Sequence, residues 1–187
     1  ATWDDHDYGR NDVGKEYELK AQSKALMLDF YGEPKDSPRR AHAGNYASRV
    51  VGPPGKRVQI VLLDTRWFRD ELTIGRPPPA KYVPNQDPKA VLLGPAQWKW
   101  LGQQLQVEAE LHMVVTSIQA VAAEHGFESW GLFPGERARL FALLGQANGG
   151  PVVLISGDRH RGELSCAVAP AVGYPLYELT SSSLNRP

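Results

Sequence analysis

The sequence has little cysteine, no long hydrophobic run and no excess of charge of either sign. Its single cysteine, Cys166, excludes an internal disulfide framework and a CxxC zinc site. The apolar–polar pattern GELSCAVA around it predicts a small buried hydrophobic residue. No run approaches the roughly 18 apolar residues of a membrane span, so no transmembrane segment is predicted. Because 21 Lys and Arg residues balance 21 Asp and Glu residues, we expect no nucleic-acid-binding patch.

Common catalytic signatures and a secretory signal are also missing. The chain contains no GxSxG elbow, no HExxH motif and no GxGxxG after a strand. Its first residues lack a basic start followed by an apolar stretch, and there is no initiator Met. Because the chain also begins inside a motif, we expect it to be part of a longer protein, so the missing signal says little about location.

Hydrophobic periodicity predicts helices first alternating with strands and then a region dominated by strands. The predicted helices cover residues 15–32, 94–111 and 137–148, and the predicted strands cover residues 46–51, 57–66, 112–117, 151–156, 163–169 and 175–181. Residues 76–89 are predicted to be a long loop stiffened by proline, and residues 118–136 to be irregular. With no repeats and no interdomain linker, this pattern predicts one α/β layered domain.

Two clusters of carboxylates and imidazoles stand out. One lies in the opening ATWDDHDYGRND, and the other, Asp158 with His160, follows the apolar run VVLIS. Carboxylate oxygens and histidine nitrogens suit iron, manganese, zinc, magnesium or calcium. Gly157 can allow the sharp turn that brings residues two apart onto one ion. The alternative for either cluster alone is a set of ordinary turn, cap or surface residues.

Five motifs, in order, resemble those of the alkaline phosphatase D-like (PhoD-like) metallophosphoesterases. They are ATWDDHDYGRND, VLLDTRWFRD, LLGPAQWKWLGQQL, EHGFESWGLFPGERARL and VLISGDRHRGE, and together they span nearly the whole chain. The resemblance implies a calcineurin-like layered β-sandwich flanked by helices (α/β/β/α). It also implies hydrolysis of phosphate mono- or diesters at two metal ions, which can be iron, calcium, manganese or zinc.

The resemblance also implies roles for individual residues. Asp5 and His6 match an Asn-His pair in which the first residue binds metal and the histidine protonates the leaving oxygen or stabilises charge on the phosphate. Asp158 and His160 match the late metal ligands of the superfamily. A metal-activated hydroxide is expected to attack phosphorus in line, with His6 assisting the leaving group.

Other residues are candidates for contact with the substrate. Asn11 can touch the metal or the phosphate, or can form an Asx turn. Arg66 can reach phosphate, or can form a structural ion pair with Asp64 beneath the site. His125 and Glu128 lie in the irregular segment and can form a substrate wall.

The family obtains its bridging Asp and other early ligands from strands that precede the first motif. We therefore expect residues 1–187 to be the C-terminal portion of one metallophosphoesterase catalytic domain, with an incomplete sandwich and little activity alone. The resemblance suggests an exported parent protein. The alternatives are a non-catalytic metal- or phosphate-binding module of the same fold, and a carbohydrate- or peptide-binding surface centred on Trp130 and the proline-rich loop.

Overall fold

A computed structural model describes residues 1–75 and 81–182, so residues 76–80 of the predicted proline-stiffened loop lie outside the described residues. The strands are β1 (Ala47–Val51), β2 (Val58–Leu62), β3 (Thr73–Ile74), β4 (Tyr82–Val83), β5 (Leu111–Val115), β6 (Val152–Ser156), β7 (Gly162–Val168) and β8 (Pro175–Ser181). The helices are α1 (Asp5–Tyr8), α2 (Lys20–Phe30), α3 (Pro38–Ala41), α4 (Gly94–Gln104) and α5 (Pro134–Leu144), with a 3₁₀ turn at Trp130–Leu132. In the described ranges no helix is long and apolar enough to cross a bilayer.

Six strands form a mixed sheet in the order β1-β2-β5-β6-β8-β7, while β3 and β4 form a separate ribbon. Strands β2, β5, β6 and β8 are parallel, and β1 and β7 are antiparallel strands at the two edges. The predicted α/β class is confirmed, and so are the six predicted strands of this sheet. Because the carboxyl ends of four parallel strands meet at one edge, the loops that follow them converge there.

One face of the sheet is packed against α4 and α5. Alternating strand residues such as Val61, Val114 and Leu154 point to this face and are fully buried with Leu101 of α4 and Leu140 of α5. Each such apolar side chain contributes about 1.5–3 kcal/mol when it is removed from water. This packing holds the parallel strands, and therefore the loops at their carboxyl ends, in a defined register.

The opposite face is apolar but partly exposed. Leu164 and Val168 of the edge strand β7 are 70% and 85% exposed. The prediction that Cys166 is buried is wrong, because Cys166 lies on this same face of β7, where no described residue covers it. The described residues include one large sheet, so the second sheet of the α/β/β/α layering stays a prediction.

Helix boundaries differ from the predicted ones where local chemistry competes with periodicity. Helix α2 begins at Lys20, five residues after the predicted start at 15, and α4 ends at Gln104 rather than at 111. Helix α5 begins at Pro134, because proline's fixed φ suits the first helical turn. The short helices α1 and α3 were not predicted, because a single turn carries no hydrophobic period.

Asp64, just after β2, is a buried hub that fixes the N-terminal segment to the sheet. Its Oδ1 accepts hydrogen bonds from Trp3 Nε1 at 3.0 Å and from the backbone N–H of Arg66 at 2.9 Å and of Trp67 at 3.0 Å. Its Oδ2 accepts from the backbone N–H of Asn45 at 2.6 Å. The predicted ion pair between Asp64 and Arg66 is therefore wrong, because Asp64 accepts from the Arg66 backbone while the guanidinium pairs with Asp4 and Glu128.

Asp64→Asn is expected to lower the free energy of unfolding by about 2–3 kcal/mol, because the new amide turns N–H groups toward buried N–H donors. Denaturant unfolding measures this loss, and metal content should stay at the wild-type level. Asp36→Asn is the control, since Asp36 is exposed. Loss of metal without loss of stability would contradict the structural role of Asp64.

Candidate active site

Two segments that are distant in the sequence meet at the carboxyl edge of the parallel strands. Helix α1 carries Asp5, preceded by Asp4, and the loop after β6 carries Asp158. One carboxylate oxygen from each of these three residues lies within 4.8 Å of the other two. The predicted convergence of the first acidic motif with the loop after VVLIS is therefore observed for Asp5 and Asp158.

Backbone hydrogen bonds orient the Asp5 carboxylate. Its Oδ1 accepts from the N–H of His6 at 2.8 Å, and its Oδ2 accepts from the N–H of Asp12 at 3.1 Å. The flanking aromatic residues Trp3 and Tyr8 are almost fully buried and anchor the short helix on both sides. Asp5 is therefore oriented by contacts within the protein itself.

The loop after β6 has an unusual backbone. Asp158 and His160 adopt left-handed conformations, with φ of 64° and 51°, whereas Gly157 does not. The sharp turn predicted at Gly157 is thus made by the two non-glycine residues that follow it. Non-glycine residues in this region carry a conformational cost, and such strain is concentrated at functional sites.

Burial and neighbouring acids make the cluster electrostatically unfavourable without a cation. Burial, followed by the charges of Asp4 and Glu128, raises the pKa of Asp158 to about 7. Burial also raises the pKa of Asp4, although the Arg66 guanidinium opposes this. Three carboxylate oxygens in a partly buried acidic group are the donor set that hard cations prefer. The residues present therefore fit a metal ion.

The raised pKa predicts how the stability of the metal-free protein depends on pH. The folded protein keeps a proton on Asp158 up to about pH 7, whereas the unfolded chain loses it near pH 3.9. Between these values the folded state binds more protons, so the contribution of Asp158 to stability falls as pH rises. Metal-free Asp158→Asn is therefore expected to gain melting temperature over wild type, with a larger gain at pH 8 than at pH 5. Equal differences at both pH values would contradict the prediction, and Glu124→Gln provides the control.

A polar pocket of about 220 Å³ opens beside the cluster. Its walls are formed by Asp5, His6, Asn11, Asp12, Lys81, Phe127, Glu128, Asp158, Arg159 and His160. His6 and Asn11 are exposed at its mouth, and His6 Nε2 lies 3.7 Å from Asp5 Oδ2. His160 lines this pocket and is exposed, but it is not a member of the three-carboxylate cluster. Its role as a metal ligand stays a prediction.

Arg66 and Glu128 form a buried ionic network beneath the pocket. Arg66 Nη1 donates to Glu128 at 2.7 Å, and Arg66 Nη2 pairs with Asp4. Arg69 Nε lies 3.1 Å from the same Glu128 carboxylate. Burial acts to lower the pKa of Arg66, but Glu128 and Asp4 outweigh it and raise that pKa. Arg66 has no exposed surface and is not among the pocket-lining residues, so its geometry favours positioning Asp4 over contacting phosphate.

The remaining predicted contacts lie elsewhere. His125 lines a neighbouring pocket of about 320 Å³ together with Arg137, Arg161 and Glu163. Trp130 is fully buried and donates through Nε1 to Thr116 Oγ1 at 2.8 Å. The alternative of a binding surface centred on Trp130 is therefore wrong, because that side chain is part of the core.

Several residues of the pocket were not among the predicted site residues. Asp4, which adjoins the predicted ligand Asp5, belongs to the carboxylate cluster rather than to the residues that line the pocket. Lys81 lies just before β4 and forms an ion pair with Asp12 at the pocket. A local sequence pattern cannot predict this contact, because the two residues are distant in the chain. Phe127 and Arg159 lie within two of the recognised motifs, but only the folded arrangement shows that they face the pocket.

Comparisons with known proteins bear on the family and the fold. The family model described as PhoD-like phosphatase matches residues 1–187. Alkaline phosphatase D of Bacillus subtilis (strain 168) is 25% identical over 185 residues, covering 86% of this chain and 30% of that protein. A solved structure of PhoD superposes with a TM-score of 0.67 at 22% identity, covering 97% of this chain and 39% of that one. The chain thus spans about a third of the length of these relatives.

Proposed function

The chain belongs to the PhoD-like phosphatase family, and we propose that it supplies the active-site pocket of a metal-dependent phosphoric-ester hydrolase acting on phosphate mono- or diesters. The observation that carries this proposal is the cluster of Asp4, Asp5 and Asp158 at the carboxyl edge of the parallel strands, with His6 exposed beside it. Alkaline phosphatase D of B. subtilis is a relative whose name states the same class of reaction.

Asp5 and Asp158, with His160 and one oxygen of Asp4, are the residues that would hold metal. Bound metal ions would supply positive charge for the phosphoryl oxygens and would lower the pKa of water so that it can act as a nucleophile at neutral pH. Two ions follow from the family resemblance, and iron, calcium, manganese and zinc all remain candidates. Arg66 contributes by fixing Asp4 from below.

His6 is proposed to handle the proton of the leaving group. Its side chain is 75% exposed at the pocket mouth, so an ester oxygen can reach it. Its Nε2 lies 3.7 Å from the Asp5 carboxylate, so the imidazole is beside the proposed metal site. Asn11 is exposed at the same mouth and can donate an amide hydrogen bond to a phosphate oxygen.

The apolar face of β7, which no described residue covers, supports a further part of the proposal, namely that residues 1–187 form the C-terminal portion of a larger catalytic domain. The intact protein, meaning the natural protein that contains these 187 residues, is therefore the appropriate object for assay. The 187-residue chain is assayed in parallel, and we expect it to hydrolyse little ester.

The test measures hydrolysis of an aryl phosphomonoester and a bis-aryl phosphodiester by the metal-stripped intact protein before and after each candidate metal is added back. Turnover that appears only with metal supports the proposal. Full turnover after rigorous metal removal would overturn metal dependence. Binding of metal and phosphate with no turnover of either ester would instead favour the non-catalytic binding module.

A further inference from the structure

We propose that Arg159 is the residue that binds the phosphate oxygens of the substrate, and that Phe127 is a positioning residue that holds its guanidinium in the pocket. This inference rests on the proposed function for its substrate class. It assigns the cationic contact to Arg159 rather than to Arg66.

Three cations in or beneath the pocket, Arg66, Lys81 and Arg159, differ in what they already bind. Arg66 is paired with Asp4 and Glu128, and Lys81 is paired with Asp12. The Arg159 side chain, in contrast, makes no hydrogen bond or ion pair with any residue in 1–75 or 81–182. Its Nε is buried without a partner. A guanidinium offers five N–H donors in a planar fork that matches two phosphate oxygens. Among these three cations, Arg159 is thus the one whose N–H donors are not already bound by described residues.

The Arg159 side chain is held from one side by an aromatic ring. Its guanidinium carbon lies 4.3 Å from the centroid of Phe127, a cation–π contact. Phe127 is the one apolar side chain among the described residues that line the pocket, and it is 44% exposed. An exposed phenylalanine in a charged pocket is explained if its ring restricts the arginine to one orientation while leaving the N–H groups free.

The loop geometry places this guanidinium next to the acidic cluster. Arg159 lies between Asp158 and His160, both left-handed, so the chain turns sharply on each side of it. A phosphate that approaches Asp5 and Asp158 meets two carboxylates and needs positive charge facing it. Bound metal would supply part of that charge, and Arg159 would supply the rest from the pocket wall.

Inorganic phosphate is the probe, and its affinity for the metal-loaded intact protein is measured by titration calorimetry. Arg159→Ala is expected to weaken phosphate binding on the order of 10–100-fold, the cost of losing a charge-assisted hydrogen-bonded pair. Arg159→Lys should recover only part of the affinity, because lysine lacks the planar fork. Arg161→Ala is the matched control, since Arg161 lies in the neighbouring pocket, and its affinity should stay within about 2-fold of wild type.

Phe127 is tested through a change that retains the ring. Phe127→Leu should weaken phosphate binding about 2–5-fold, whereas Phe127→Tyr should leave it near wild type, because the tyrosine face also attracts a cation. For the phosphomonoester we expect the Arg159 and Phe127 effects mainly in KM, with metal content unchanged. A purely structural role would not produce this pattern together with rescue by tyrosine.

The outcomes separate this inference from the proposed function. Phosphate binding that depends on Arg159, in a protein that hydrolyses neither ester, would refute the hydrolase and keep the phosphate contact. Ester hydrolysis with unchanged phosphate affinity and KM in Arg159→Ala would refute the Arg159 assignment and keep the hydrolase. A metal-loaded wild-type protein that binds no phosphate would also overturn the assignment.

Discussion

Asp158→Asn should remove bound metal and reduce ester hydrolysis by roughly a thousandfold or more, since the electrostatic contribution of a catalytic metal is worth several kcal/mol. Asp158 is the residue through which the loop after β6 meets α1. It also lines a second cavity at the ends of β5, β6 and β8. Asp158 therefore borders both cavities that adjoin the cluster. Losing its charge leaves Asp4, which Arg66 already engages, and Asp5 as the remaining carboxylates of the cluster.

Asparagine is the informative replacement because it keeps the shape of the side chain and tolerates the left-handed backbone at this position. Alanine would add backbone strain and confuse a loss of metal with a loss of folding. Metal content by elemental analysis, turnover and melting temperature should be measured on the same preparation. Glu124→Gln, an exposed acid beside the neighbouring pocket, controls for a general change of charge. An Asp158→Asn enzyme with full metal and full rate would remove this loop from the site.

His160→Ala belongs in the same experiment. The family pattern predicts that His160 binds metal, so its removal should also reduce metal content. In the structure His160 is exposed, lies outside the carboxylate cluster and donates its backbone N–H to Ser182 Oγ at 2.8 Å. An unchanged metal content in His160→Ala would restrict the ligands from this loop to Asp158.

Part of this site could be predicted because it obeys local rules. A run of apolar strand residues that stops at Asp158 marks a strand end, and strand ends in α/β folds gather at one edge. The recognised motif supplied the pairing of Asp5 with His6. The sequence motifs could not show that the Arg66 guanidinium would form ion pairs with Asp4 and Glu128. These pairs depend on contacts between distant segments of the chain.

Burial was predictable on the sheet face that α4 and α5 cover. The inward residues of β2, β5 and β6 are buried, as their apolar runs indicate. Cys166 follows an equally apolar alternation, but β7 is an edge strand and its outward face is uncovered by the described residues. Position in the sheet, which a local pattern does not contain, decided the difference.

His6→Ala is expected to reduce turnover by about 10²–10⁴-fold, the usual contribution of a general acid or base, while metal content stays at the wild-type level. Turnover and metal content should respond differently because His6 lies beside the carboxylate cluster but is not a member of it. Asp5 keeps its backbone hydrogen bond from residue 6 in the variant, because that bond uses the main-chain N–H. His125→Ala, which removes an imidazole from the neighbouring pocket, is the matched control.

The dependence on the leaving group gives the sharper test of this assignment. An ester with a good leaving group, such as an activated aryl phosphate, needs little protonation of its departing oxygen, whereas an alkyl phosphate needs much more. The loss of rate in His6→Ala should therefore be largest for the alkyl ester and should shrink as the acidity of the leaving alcohol rises. An equal loss for both esters would place His6 in charge stabilisation of the phosphate instead. Loss of a metal ion from the variant would make His6 a ligand and would refute its role as the acid.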